Sequence, residues 1–111
     1  MDDEIAELRA ALDRLHAAAD DLIVRGVRAA GPRDIARFDA LRDELRSAGA
    51  EHLAGRLAAV ADALRAGDRA ASPALLRAIT ALRLFDRMLT VEVAGRMLNA
   101  AAEADPEPED L

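Results

Sequence analysis

Apolar residues recur at alternating intervals of three and four positions along most of this 111-residue chain. Such spacing places them on one side of an α-helix, whereas a half-buried strand alternates every second residue. Residues that favour strands are scarce, with four Ile, five Val, two Thr and two Phe. We therefore predict an all-α fold. The two clearest apolar series are Ile5, Leu8, Leu12, Leu15, Ala19 and Leu22, and then Phe38, Leu41, Leu45, Gly49, Leu53, Leu57, Val60 and Leu64.

Glycine and proline divide this helical pattern into three segments. Gly31 and Gly67 suit the left-handed position that ends a helix, whereas Pro32 and Pro73 suit a first helical turn. Ser72 is a good N-cap. The predicted helices cover about 2–30, 32–66 and 72–103.

Helices of about 30 residues are ~45 Å long, and the connections between them are short. We therefore predict one domain, 1–104, folded as an elongated antiparallel up-down-up three-helix bundle. A break of the middle helix near Gly49 would give four helices instead. No Ser, Thr, Asp or Asn follows Gly49 to cap a new helix, so the unbroken middle helix is the favoured interpretation.

Composition excludes several classes of function. The chain has no Cys, so thiolate metal sites and cysteine nucleophiles are absent. Its net charge of −6 argues against nucleic acid as a partner, because a binder must neutralise phosphates. No apolar run approaches the ~20 residues of a membrane span, and an acidic N-terminus is unlike a secretory signal, so we expect a cytoplasmic protein without a membrane partner. The acidic, proline-containing segment 105–111 is predicted to be a disordered tail.

The third predicted helix is apolar on two sides. One side, with Leu75, Leu82 and Leu89, is expected to face the bundle core, and Ile79, Val93 and Met97 lie within the same face. No helix of a three-helix bundle is central, so the second apolar side indicates an interface with another chain. The predicted interface residues are Leu84, Met88, Val91, Gly95 and Leu98.

Catalytic motifs are missing from the sequence, and no cofactor is implied by it. One arrangement is more specific. Asp86 is expected at the centre of the core face of the third helix, between Leu82 and Leu89. Antiparallel packing would bring His16, His52 and Asp86 to a similar height in the bundle. These residues are predicted to form a buried polar layer that fixes helix register, and they are also a possible metal-ligand set.

Taken from sequence alone, the expected function is that of a non-catalytic helical protein–protein interaction module. It would associate with itself, as a homo-oligomer, or with another protein through the third helix. The alternative is a small metal-binding helical protein or enzyme that uses His16, His52 and Asp86.

Overall fold

The computed structural model describes residues 2–67 and 69–104, and in this part of the chain the secondary structure is entirely helical. The all-α prediction is thereby confirmed, while the predicted tail at 105–111 lies outside the described residues. A short 3₁₀ helix, Val27–Ala29, follows the first α-helix. The α-helices are α1 (Asp2–Arg25), α2 (Pro32–Ser47), α3 (Glu51–Ala66) and α4 (Ala71–Ala104).

The first helix ends five residues earlier than the predicted boundary at residue 30. Gly26 has a φ of 91°, a backbone conformation that interrupts the helix and that side chains disfavour. Gly31 then has extended backbone, and its N–H donates to Asp34 Oδ2 at 2.8 Å. Pro32 begins α2, as the sequence predicted.

The middle segment is two helices, not the single continuous helix expected over 32–66. Gly49 adopts a φ of 87°, in the left-handed region. Its N–H donates to the Arg46 carbonyl at 3.0 Å, and the Ala50 N–H donates to the Leu45 carbonyl at 2.8 Å. These two bonds form a Schellman motif, which satisfies carbonyls at the end of α2 without a continuing helix. A glycine at the C-terminal boundary therefore decides the break, although α3 begins with no side-chain cap.

The buried core includes residues from all four α-helices. Nine of its 21 buried apolar residues are alanines, so neighbouring helices can approach closely and each residue buries little area. Between Cα atoms the molecule measures 68 Å in length and only 20 Å in each transverse direction.

The last helix continues well beyond the core. Leu89 is its last buried residue, yet α4 runs to Ala104, about 22 Å farther at 1.5 Å per residue. In this extension only Val93 packs against the core, and its side chain is half-buried. Within 2–67 and 69–104, no helix combines the length and apolar character that a membrane crossing requires.

Candidate functional site

The most conspicuous surface feature is a row of exposed apolar residues along α4. The side chains of Leu84, Met88, Val91 and Leu98 are between 58% and 71% exposed, and the half-buried Gly95 completes their spacing. We call Leu84, Met88, Val91, Gly95 and Leu98 the exposed stripe. These are the residues that the sequence predicted as an interface, and the described part of the chain leaves their large side chains open to solvent.

The exposed stripe lies on the side of α4 opposite its buried residues. At 100° per residue the stripe covers about 80° of the helix circumference. Leu75, Leu82 and Leu89, which are buried, point roughly the other way. The prediction for Met97 was wrong. This residue was expected on the core face, but it is 67% exposed because the core ends before it.

The exposed stripe has one charged residue on each side, Arg87 and Glu92. Arg87 is exposed and makes no hydrogen bond or ion pair within residues 2–67 and 69–104. Glu92 accepts a hydrogen bond from Arg96 at 2.9 Å, one helical turn away. Thr90, which lies between them in sequence, is helical and donates its hydroxyl to the Asp86 carbonyl at 2.9 Å. The stripe therefore has a free cation on one flank and a carboxylate on the other.

The predicted polar layer is only partly assembled. His16 Nε2 lies 2.5 Å from Asp86 Oδ2, which joins α1 to α4. The two side chains are 41% and 35% exposed, so this pair lies at the edge of the core and not inside it. His52 is exposed at the start of α3 and makes no hydrogen bond or ion pair with either residue. Among the described residues no three His, Cys, Asp or Glu side chains are grouped so that they could hold a metal ion.

The edge position of Asp86 follows from the small residues of α4. Sequence reasoning placed Asp86 at the centre of the core face because it lies between Leu82 and Leu89. Ala74 and Ala78 are also buried, however, and they rotate the buried face away from Asp86. Asp86 is therefore half-buried, and no charged or polar residue of the described chain is buried.

A cleft that sequence reasoning missed opens where α2 ends. It has a volume of about 690 Å³ and lies between the start of α1, the end of α2 and the latter half of α4. The break at Gly49 is the signal that could have revealed it, because an unbroken middle helix would have continued past this point. The cleft is lined by apolar Ile5, Leu8, Leu89 and Val93, by acidic Glu4, Glu7, Asp43, Glu44 and Glu92, and by Ser47, Ala48 and Arg96.

The surfaces of the chain itself supply the evidence on function. Four of the eight exposed large apolar residues of the described chain lie in the exposed stripe, which is distinct from the pair of His16 and Asp86. Comparisons with protein-family models, with curated proteins and with solved structures find no match for this chain.

Proposed function

We propose that this chain is a non-catalytic helical interaction module of the cytoplasm, which binds protein through the exposed stripe of α4. The observation that carries the proposal is the set of four large apolar side chains, 58% to 71% exposed, in one row on one face. Scattered exposed apolar residues are ordinary on a soluble protein. A row of four at helical spacing is the arrangement that a partner helix would cover.

The proposed scaffold for this surface is an up-down-up-down bundle. Ion pairs between α1 and α2 support it, because they join the two helices in reversed sequence order. Arg14 pairs with Glu44 at 2.8 Å, and Asp21 lies 3.7 Å from Arg37. Such a bundle buries one side of α4 and leaves the opposite side available along its whole length.

The extension of α4 also supports binding. A helix end without tertiary contacts is marginally stable in water, since propensity alone rarely maintains short helices. The segment after Leu89 contains Val91 and Leu98 of the stripe but no buried residue. A partner packed on this segment would supply the contacts that the bundle does not.

The test uses two glutamate variants on the same helix. Val91 and Met97 are 68% and 67% exposed, but only Val91 belongs to the exposed stripe. Val91→Glu places a charge in the proposed interface and is expected to abolish association, because burial of an unpaired carboxylate is costly. Met97→Glu adds the same charge outside it and is expected to retain association.

Association is measured in two ways. Light scattering reports self-association of the purified protein, and affinity capture from the native host reports other protein partners. We expect self-association, binding of another protein, or both to be lost in Val91→Glu and kept in Met97→Glu. If neither measurement distinguishes the two variants, the exposed stripe is not a binding surface. Far-UV circular dichroism of both variants shows whether the bundle itself is retained.

A further inference from the structure

We propose that the partner covering the exposed stripe is a second copy of this chain, with the two α4 helices parallel and in register. This inference rests on the proposed function and identifies its occupant. The evidence is the pattern of residues along the stripe, the charges on its flanks and the free space around it.

The exposed stripe has the spacing of a coiled-coil seam. Steps of four, three, four and three lead from Leu84 through Met88, Val91 and Gly95 to Leu98. In heptad notation, Leu84, Val91 and Leu98 occupy d positions, while Met88 and Gly95 occupy a positions. Two parallel helices in register would pair each of these residues with its own copy.

The flanking charges are self-complementary in that arrangement. Arg87 occupies a g position and Glu92 the e position five residues later. In a parallel pair, g of one helix meets the following e of the other, so Arg87 would meet Glu92 of the second copy, twice by symmetry. Arg87 has no ion-pair partner in the described chain. Glu92 is exposed and pairs only with Arg96 of its own helix, through one carboxylate oxygen, so its other oxygen can accept a guanidinium from a second copy.

An antiparallel pair offers no such match. There, g positions face g positions and e positions face e positions. Arg87 would meet only another Arg87 or an uncharged residue, and Glu92 only another Glu92 or an uncharged residue. From residue 80 to residue 101, the g positions are Thr80, Arg87, Ala94 and Ala101, and the e positions are Phe85, Glu92 and Asn99. Charge therefore favours the parallel orientation.

The geometry of the bundle permits this pairing. Because the stripe lies opposite the buried side of α4, two copies would project their bundles away from each other. From Leu84 to Leu98 the seam is about 21 Å long, and Gly95 contributes no side chain to it. So short a seam predicts a weak association that depends on protein concentration.

The orientation is tested by one introduced cysteine, since the natural chain has none. Leu98→Cys lies at a d position far from the seam centre, and Ala100→Cys lies nearby on a different face. In a parallel dimer, oxidation should convert most Leu98→Cys protein to a disulfide-linked dimer and leave Ala100→Cys largely monomeric. In an antiparallel dimer the two copies of residue 98 are too far apart to react. Failure of Leu98→Cys to cross-link above the Ala100→Cys control would overturn the parallel arrangement.

Charge reversal provides a second test that needs no cross-link. Arg87→Glu alone and Glu92→Arg alone should each weaken self-association, by about tenfold or more, because like charges then meet twice. An equimolar mixture of the two variants should recover association, since every g position again meets an opposite charge. A mixture no tighter than either variant alone would contradict the proposed pairing.

The outcomes separate this inference from the proposed function. A mass of 11.8 kDa at all concentrations, together with capture of another protein that Val91→Glu abolishes, would reject the second copy and retain the binding surface. A dimer that persists in Val91→Glu would reject the surface as well.

Discussion

The carboxylate of Asp34 ties together the two ends of the connection between α1 and α2. It accepts the Gly31 N–H at 2.8 Å and forms an ion pair with Arg25, whose guanidinium also binds Asp21 at 2.9 Å. The backbone hydrogen bond from Gly31, and secondarily the bond from Arg25, lower the pKa of Asp34 below its ordinary value. Because the folded pKa is the lower one, the unfolded chain binds more protons in acid, and the stabilisation is lost as the pH falls through the folded pKa.

Asp34→Asn should therefore destabilise the protein in a pH-dependent manner. Asparagine keeps an acceptor for the Gly31 N–H but loses the charge opposite Arg25. We expect a loss of ~1 kcal/mol in the free energy of unfolding at neutral pH, where the Asp34 carboxylate is charged in both states. The difference from the natural chain should shrink in acid, as the pH falls through the lowered pKa of Asp34 and the carboxyl is protonated.

Urea denaturation at neutral pH and in acid measures this difference. Asp13→Asn is the control, because Asp13 is exposed and makes no hydrogen bond or ion pair in the described chain. A loss for Asp34→Asn that is equal at both pH values would show that the charge of Asp34 does not stabilise the fold.

The pair of His16 and Asp86 should matter little to stability, despite joining α1 to α4. Both side chains are more than one third exposed, and exposed ion pairs contribute ~0 to 1 kcal/mol. A double-mutant cycle with His16→Ala and Asp86→Ala, measured by urea denaturation, should give a coupling energy within that range. A coupling of ~3 kcal/mol would instead indicate a desolvated pair and restore the buried polar layer predicted from sequence.

At the scale of the helices, the glycine between α2 and α3 should be required for full stability of the fold. Gly49 has a φ of 87°, so Gly49→Ala places a side chain in a disfavoured conformation and should cost ~1 to 2 kcal/mol of unfolding free energy. Gly55 lies exposed inside α3 with no atom near its missing Cβ. Gly55→Ala should stabilise by ~1 kcal/mol, since alanine is the better helix former.

Thermal or urea denaturation of these two variants gives opposite signs if α2 and α3 are separate helices. If Gly49 were helical, both substitutions would stabilise. The pair of variants therefore decides directly between four helices and the three expected from sequence.

Sequence predicted the start of α2 correctly, but it placed the end of the first helix at residue 30, whereas α1 ends at Arg25. Gly31, expected in the left-handed conformation, has extended backbone. Pro32 follows Gly31, and α2 begins at Pro32. At Gly49 the signals conflicted, since glycine ends helices but no capping side chain follows, and the weight given to the missing cap was wrong. The physical reason is that the hydrogen bonds of a Schellman motif join backbone groups only. The motif therefore needs no capping side chain that the sequence could reveal.

For α4, the sequence predicted the exposed face correctly and the buried face only approximately. The exposed side was identified correctly, because large apolar residues there stand out against charged neighbours. The buried side was misplaced towards Asp86, because alanine buries readily but carries little hydrophobic signal. Ala74 and Ala78 are buried, and with them the face rotates. In a core so rich in alanine, a pattern of large residues alone locates a helix face only approximately.

For the whole molecule, folding of the α4 extension and self-association should be coupled. Residues 94 and 96–104 are all exposed, so few tertiary contacts oppose fraying of this end in a monomer. In the proposed dimer, the stripe residues Val91, Gly95 and Leu98 of two copies would pack together and hold the helix. Amide hydrogen exchange should therefore be slow over residues 94–98 at high protein concentration and fast on dilution. Amides of residues 74–82, the part of α4 that contains the buried Ala74, Leu75, Ala78 and Leu82, should stay protected at both concentrations.

The glutamate variants distinguish coupling from intrinsic helix stability. In Val91→Glu, exchange over residues 94–98 should be fast even at high concentration, while Met97→Glu should resemble the natural chain. Both changes introduce the same charge into α4 at similar exposure, so a difference in how protection depends on concentration reports the face that each residue occupies. Equal protection in the two variants, independent of concentration, would mean that α4 maintains its last turns without a partner. The extension would then be a stable part of the monomer, and its exposed stripe would not owe its helical structure to binding.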